Sequence, residues 1–190
     1  MRKFTFLAAL LALSLASCRQ TSEKASSSQN TTWELTNYVD DFGEPTEDTY
    51  VQTNCEGYLQ NDVTDNGSLE ATLLIDKHNV RILVLEYGKF KVTSYRDFYE
   101  RKVSIRVRSG NKKDVNLGDT DAATFSDGYF VLSSSAKKKL MPILYAGGKV
   151  SFRIGFEGTA YYFTIPDTSG LKEVLQKTKM QEVEVKDSVA

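Results

Sequence analysis

The stretch KVSFRIGF-EGT-AYYFTI, residues 149–165, decides how the chain is read. Val150, Phe152, Ile154 and Phe156 alternate with polar or small residues, and EGT then reverses the chain into AYYFTI. In a strand, successive side chains point to opposite faces, so strict alternation predicts a hairpin with one buried side. The same period of two recurs upstream. SLEATLLID (68–76) sets Leu69, Ala71, Leu73 and Ile75 on one face, and VRILVLEY (80–87) follows after only KHN, which predicts a second antiparallel hairpin. KVSIRVRS (102–109) places Val103, Ile105 and Val107 opposite Lys102, Arg106 and Arg108. WELTNYV (33–39), TYVQT (49–53) and GYFVL (128–132) read as further strands, with Asn66-Gly67, Gly88 and Gly110-Asn111 as turns.

Two segments break this pattern with helical spacing. SSSAKKKLMPILYAGG offers serine caps, puts Ala136, Leu140, Ile143 and Leu144 on one face and stops at Gly147. Pro142 lacks a backbone donor, so a short, kinked or restarted helix is expected near 134–146. SGLKEVLQKTK (169–179) spaces Leu171, Val174, Leu175 and Thr178 as a C-terminal helix. Many short strands with two short helices predict a mainly β fold, an antiparallel β-sandwich, with a closed barrel as the alternative.

The start of the chain carries an address. Arg2 and Lys3 precede thirteen uncharged residues, Phe4 to Ala16. That is short of the roughly 20 apolar residues a spanning helix needs, and it fits the apolar part of a signal peptide. Leu15-Ala16-Ser17-Cys18 resembles the lipobox of bacterial lipoproteins. The resemblance implies cleavage before Cys18 and acylation of its thiol, hence a membrane partner through a lipid anchor. Residues 1–17 are then the signal peptide, and the Ser/Thr/Gln-rich 18–32 a tether. Residues 33–179 make one domain, and 180–190 a tail. In the Gram-negative sorting pattern of such lipoproteins, Arg19 in place of Asp implies the outer membrane rather than the inner one.

The block from Leu140 to Gln176 shows Leu140, Gly148, Lys149, Val150, Phe152, Ile154, Phe163, Ile165, Gly170, Leu171 and Leu175 in order. It is similar to the C-terminal part of invasion-associated locus B proteins and of certain type VI secretion accessory proteins. That resemblance implies a secreted β-sandwich acting as a non-catalytic accessory or binding domain. An envelope protein or a glycan as its partner is expected separately, from the envelope address and the basic residues between Lys89 and Lys113.

The chemistry legible in the residues is sparse. Lys and Arg number 24 and Asp and Glu 25, a balance that argues against a nucleic-acid role. The single histidine, His78, lies in the turn DKHN and reads as a loop residue. With Cys18 acylated, Cys55 has no intramolecular partner and reads as a buried, inert thiol. No phosphate-binding loop or nucleophile elbow is present, so no catalytic residue, metal ligand or cofactor is assigned. The acidic segment DDFGEPTED (40–48) admits a weak calcium site or a plain solvated loop. Carboxylates near tyrosines leave an envelope hydrolase as an alternative function, and joined sheet edges leave a self-associating structural component as another.

Charge is distributed unevenly. Nine basic residues fall between Lys89 and Lys113, against Asp97 and Glu100 alone, whereas 26–75 holds acids and no Lys or Arg. If segments 90–94 and 102–108 pair, Lys91, Lys102, Arg106 and Arg108 form a stripe for an anion or an acidic partner. The competing expectation is that acidic and basic strands lie side by side and neutralise each other. The aromatics Tyr87, Phe90, Tyr95, Phe98 and Tyr99 are expected to fill the core and its rim rather than bind ligand.

Overall fold

The hairpin at 149–165 forms as expected. Val150–Phe156 and Thr159–Ile165 pair antiparallel in full register, from Val150 opposite Ile165 to Phe156 opposite Thr159. Glu157 and Gly158 make the two-residue turn, both with positive φ (46° and 81°). That is the primed turn geometry whose twist matches the flanking strands. The computed structural model describes residues 33–93, 102–110 and 112–177.

In chain order the strands are β1 (Glu34–Val39), β2 (Pro45–Gln60), β3 (Gly67–Asp76), β4 (Val80–Glu86), β5 (Phe90–Lys91), β6 (Val103–Ser109), β7 (Val115–Gly118), β8 (Ala123–Ser126), β9 (Tyr129–Leu132), β10 (Val150–Phe156) and β11 (Thr159–Ile165). Helix α1 (Ser134–Tyr145) joins β9 to β10, and α2 (Leu171–Lys177) follows β11. The strands form one antiparallel sheet in the order β7-β6-β10-β11-β2-β3-β4-β9-β8, with β1 added to β2 and β5 to β4. The sheet curls until Val103 N–H reaches Thr120 O and Ala122 N–H reaches Val103 O. The result is a flattened, nearly closed sandwich, so the two architectures weighed from the sequence merge into one. Curling buries one face of the longer strands, while β1 and β5 carry no buried residue, and it leaves few unpaired edges.

The inner face is the one the alternation marked. Leu69, Ala71, Leu73, Ile75, Val103, Ile105, Val107, Val150, Phe152, Ile154 and Phe156 are all buried. Aromatic rings fill the centre: Phe130 meets Phe125 at 5.1 Å, Phe156 at 5.2 Å and Tyr161 at 6.1 Å between centroids. Phe152 stacks on Phe163 at 4.8 Å. Tyr161 donates its hydroxyl proton to Glu86 Oε1 at 2.8 Å, and burial first, then that carboxylate, raise the phenol's pKa above its ordinary value. Cys55 is free and buried, and burial pushes its thiol up to about 12.

Several expectations are corrected. The strand expected at 49–53 runs from Pro45 to Gln60, because β2 pairs with β1 over its first half and with β11 over its second. Residues 45–48 of the supposed acidic loop therefore belong to a strand. Pro142 does not interrupt α1: it sits near the helix end, and Lys138, whose carbonyl its missing N–H would have reached, is solvent-exposed. Ser133 caps the start by accepting from Ala136 N–H, and Gly147 follows the end at φ 76°. Strands β7 and β8 were not anticipated because VNLG and ATFS hold two apolar residues each, whereas the equally short β9, YFVL, is wholly apolar. Of the C-terminal helix, Leu171–Lys177 is helical, and Thr178 lies outside the described residues. So do the signal peptide, Cys18, the tether, the tail, Tyr95, Arg96, Phe98, Tyr99 and Arg101. Among the described residues no helix is long and apolar enough to cross a membrane.

Candidate functional site

The outer face of the sheet follows from the same period of two. On β6, β10 and β11 the residues between the core positions are Arg106, Arg153 and Tyr162, and on β2 Tyr58. Strand register then sets these four in a line. Arg106 is opposite Arg153, Arg153 opposite Tyr162, and Tyr162 opposite Tyr58. Directly opposed residues on neighbouring strands lie within contact distance, so the line is a continuous surface. Tyr58 and Tyr162 stack at 4.7 Å with an interplanar angle of 13°. The Arg153 guanidinium lies 5.7 Å from the Tyr162 ring centre, and its Nε donates to the Tyr162 hydroxyl at 3.2 Å. Arg106 is exposed at one end of the row. Tyr58 is 42% exposed at the other, and its next neighbour across the sheet is the small Ser68. The row therefore offers planar cations, which bind carboxylate or phosphate in a fork, beside an aromatic surface suited to a sugar ring or other flat group.

The stripe expected from sequence is not assembled as such. Lys91 is on β5, which pairs with β4 and not with β6, and its ammonium lies 5.8 Å from the Tyr129 ring centre. Arg108 shares the exposed face of β6 with Arg106 but is bonded to Asp114 at 2.5 and 3.1 Å, which holds that carboxyl below its ordinary pKa. Lys102 is exposed just before β6. Arg106 alone of the four joins the row. Its partners Arg153, Tyr162 and Tyr58 were missed because alternation marks them only as outward-facing, and the β6–β10 and β11–β2 pairings are long-range. Among the described residues the acidic and basic strands are not neighbours, since β6 is flanked by β7 and β10 while the acidic β1–β2 hairpin lies beside β3 and β11.

The other candidate chemistry is structural. In the 40–48 segment Asp40 Oδ1 accepts from the N–H groups of Phe42 and Glu44, both at 2.9 Å, and so closes the turn. Among the described residues no three His, Cys, Asp or Glu side chains are grouped to hold a metal ion. His78 is exposed in the β3–β4 turn, its N–H donating to Asp76 Oδ1. Of the aromatic cluster, Tyr87 and Phe90 are exposed at the rim.

Asp76 is the hub of a second polar group. Its Oδ2 accepts from the Tyr38 hydroxyl at 2.7 Å and from Arg81 at 2.9 Å, and Arg81 also donates to the Tyr38 hydroxyl. Arg81 lies between the rings of Tyr38 and Tyr129, at 5.5 and 5.8 Å. Burial on its own raises the Asp76 pKa. The hydrogen bonds from Tyr38 and the Asn79 and His78 N–H groups, with the Arg81 charge, outweigh it and leave the carboxyl below its ordinary value of 3.8. A depressed carboxyl pKa stabilises the fold above the unfolded-state value, and this contribution is lost as pH falls through the folded one. Asp76→Asn is therefore expected to cost roughly 1.5–3 kcal/mol at pH 7. In urea melts the gap from the parent protein closes as pH is lowered to about 2; a gap that stays constant with pH refutes the assignment.

The fold and the surface together define a single-sheet, mainly β sandwich with an arginine–tyrosine row on its outer face. Compared with known proteins, the chain matches no family model, no curated protein and no solved structure.

Proposed function

We propose that the protein is a lipid-anchored component of a bacterial envelope, a domain that binds anionic glycan without catalysis. The observation that carries the binding half is the row Arg106–Arg153–Tyr162–Tyr58. Guanidinium groups match the carboxylates or phosphates of acidic sugars, and an exposed tyrosine face matches the apolar face of a pyranose ring. The anchoring half rests on Leu15-Ala16-Ser17-Cys18 and the polar tether that follows.

Two expected results test the halves separately. Full-length protein expressed in bacteria is expected to partition into the detergent phase, and the chain from Arg19 onward, led out by a cleavable secretory leader, into the aqueous phase, because two or three acyl chains anchor stably and none does not. Full-length protein found in the aqueous phase, or the chain from Arg19 in the detergent phase, removes the anchor. For binding, the full chain is titrated with a polyuronate and with a neutral glucan of similar length. Arg106→Ala with Arg153→Ala is expected to weaken polyuronate binding roughly ten- to a hundredfold, about 1.4–2.8 kcal/mol, without changing the circular dichroism. Equal binding by parent and double variant, or equal binding of the neutral glucan, overturns the reading.

A further inference from the structure

The β1–β2 hairpin is longer than the sheet that supports it. Tyr50 opposite Asp76 is the last pair between β2 and β3, whereas residues 45–49 of β2 pair only with β1. Five residues at about 3.4 Å each carry a two-stranded finger about 17 Å beyond the sheet. Phe42 stands at its tip and is 92% exposed, with Val39 also exposed beside it. An aromatic ring held in water is costly to leave uncovered, and this one is held stiffly. Asp40 Oδ1 takes two N–H groups of the turn, Gly43 adopts the φ of 85° that the reversal needs, and Asn37 Nδ2 donates to Thr46 O at 2.8 Å. Lower down, Tyr38 braces the finger on Asp76 and Arg81. Asp41, Glu44, Glu47 and Asp48 surround the tip without a single Lys or Arg in the finger.

A surface of the opposite character lies elsewhere on the same chain. Between the β6–β7 turn and the end of α1 is an open cavity of about 190 Å³. Val115, Pro142, Ile143 and Ala146 make its apolar wall, and Ser109 with the exposed Lys112 and Lys113 completes it. A cavity of roughly 150 Å³ accepts a benzene ring, so the volume suits one phenylalanine side chain. The registers place both features toward one end of the sandwich. Ser109 and Ile165 flank Val150 at the same level, and β11 runs antiparallel to β2, so its end at Ile165 points the way β2 runs back to the finger.

We infer that the occupant of this groove is Phe42 of a second copy, two chains exchanging fingers so that the acidic tip of each meets the lysines of the other. Hydrophobic fit and charge complementarity act on the same contact, and two features at one end allow a closed, two-fold pair rather than an open chain. This inference does not depend on glycan binding, since none of the row residues takes part.

Cross-linking of full-length protein in detergent micelles tests it. Chains carrying Phe42→Cys are mixed with chains carrying Ala146→Cys and mildly oxidised. Disulfide-linked dimer is expected from the mixture well above either variant alone, which corrects for any reaction of the two native cysteines. Sedimentation supplies the second readout. Phe42→Ala, which removes an exposed side chain and leaves the fold intact, is expected to weaken dimerisation roughly ten- to a hundredfold. Lys112→Glu with Lys113→Glu abolishes it, and adding Asp41→Lys and Glu44→Lys to that chain restores it. A monomer at all concentrations, a dimer indifferent to Phe42→Ala, or a mixture that cross-links no better than the single variants overturns the inference.

Discussion

Gly57→Ala is expected to destabilise the domain by about 3 kcal/mol or more, a large part of the 5–15 kcal/mol by which a typical domain is stable. A Cβ on Gly57 would lie 2.0 Å from the carbonyl oxygen of Tyr162 and 2.9 Å from the Phe163 Cβ. The first of these neighbours is backbone, so no side-chain rotation relieves the clash and the two strands must part. They would part where β2 passes from pairing with β1 to pairing with β11, and where the Tyr58–Tyr162 stack sits next door. Gly158→Ala is the matched comparison. Its φ of 81° carries strain but nothing lies within 4 Å of the added carbon, so a cost of about 1–2 kcal/mol is expected. Urea midpoints with unchanged slopes measure both. Equal, small losses at the two glycines would show that the close approach of β2 and β11 is not a constraint on the fold.

Phe130→Ala is expected to cost about 3–5 kcal/mol, the range for deleting a fully buried aromatic side chain. Phe130 is completely buried on β9 and touches Phe125 on the neighbouring strand, then Phe156 and Tyr161 on β10 and β11 across the core. It thus ties one wall of the sandwich to the other. Removal leaves a cavity that the rigid sheet cannot collapse to fill. Phe130→Leu, which restores most of the volume, should recover more than half of the loss. Thermal and chemical denaturation read the effect, and a loss under 1 kcal/mol would mean that the aromatic cluster does not hold the walls together.

Particular residues show why the fold was more legible than the site. In β3, β6 and β10 every position assigned to the core by alternation is buried, because a one-residue error would turn the whole apolar set to water. The hairpins β3–β4 and β10–β11 were readable for the same reason, with turns short enough to fix their partners. Strands β7 and β8 hold only two apolar residues each, unlike the equally short but wholly apolar β9, and the true length of β2 was hidden because its partner changes midway. The arginine–tyrosine row depends on two pairings between segments far apart in sequence, β6 with β10 and β2 with β11. The stripe drawn from local charge failed at the same step: it presumed that Lys91 and Arg106 sit on paired strands, and β5 instead returns to β4.

Composition and local periodicity by themselves determined the class of fold, the inward faces of β3, β6 and β10, and the capped helix after Ser133. These follow from side-chain chemistry acting over a few residues. Which outward-facing side chains meet was decided only by the closed sheet, since register between distant strands is set by how all the apolar faces pack at once. The row of Arg106, Arg153, Tyr162 and Tyr58 exists for that reason, as do the free-standing finger and the groove that matches it.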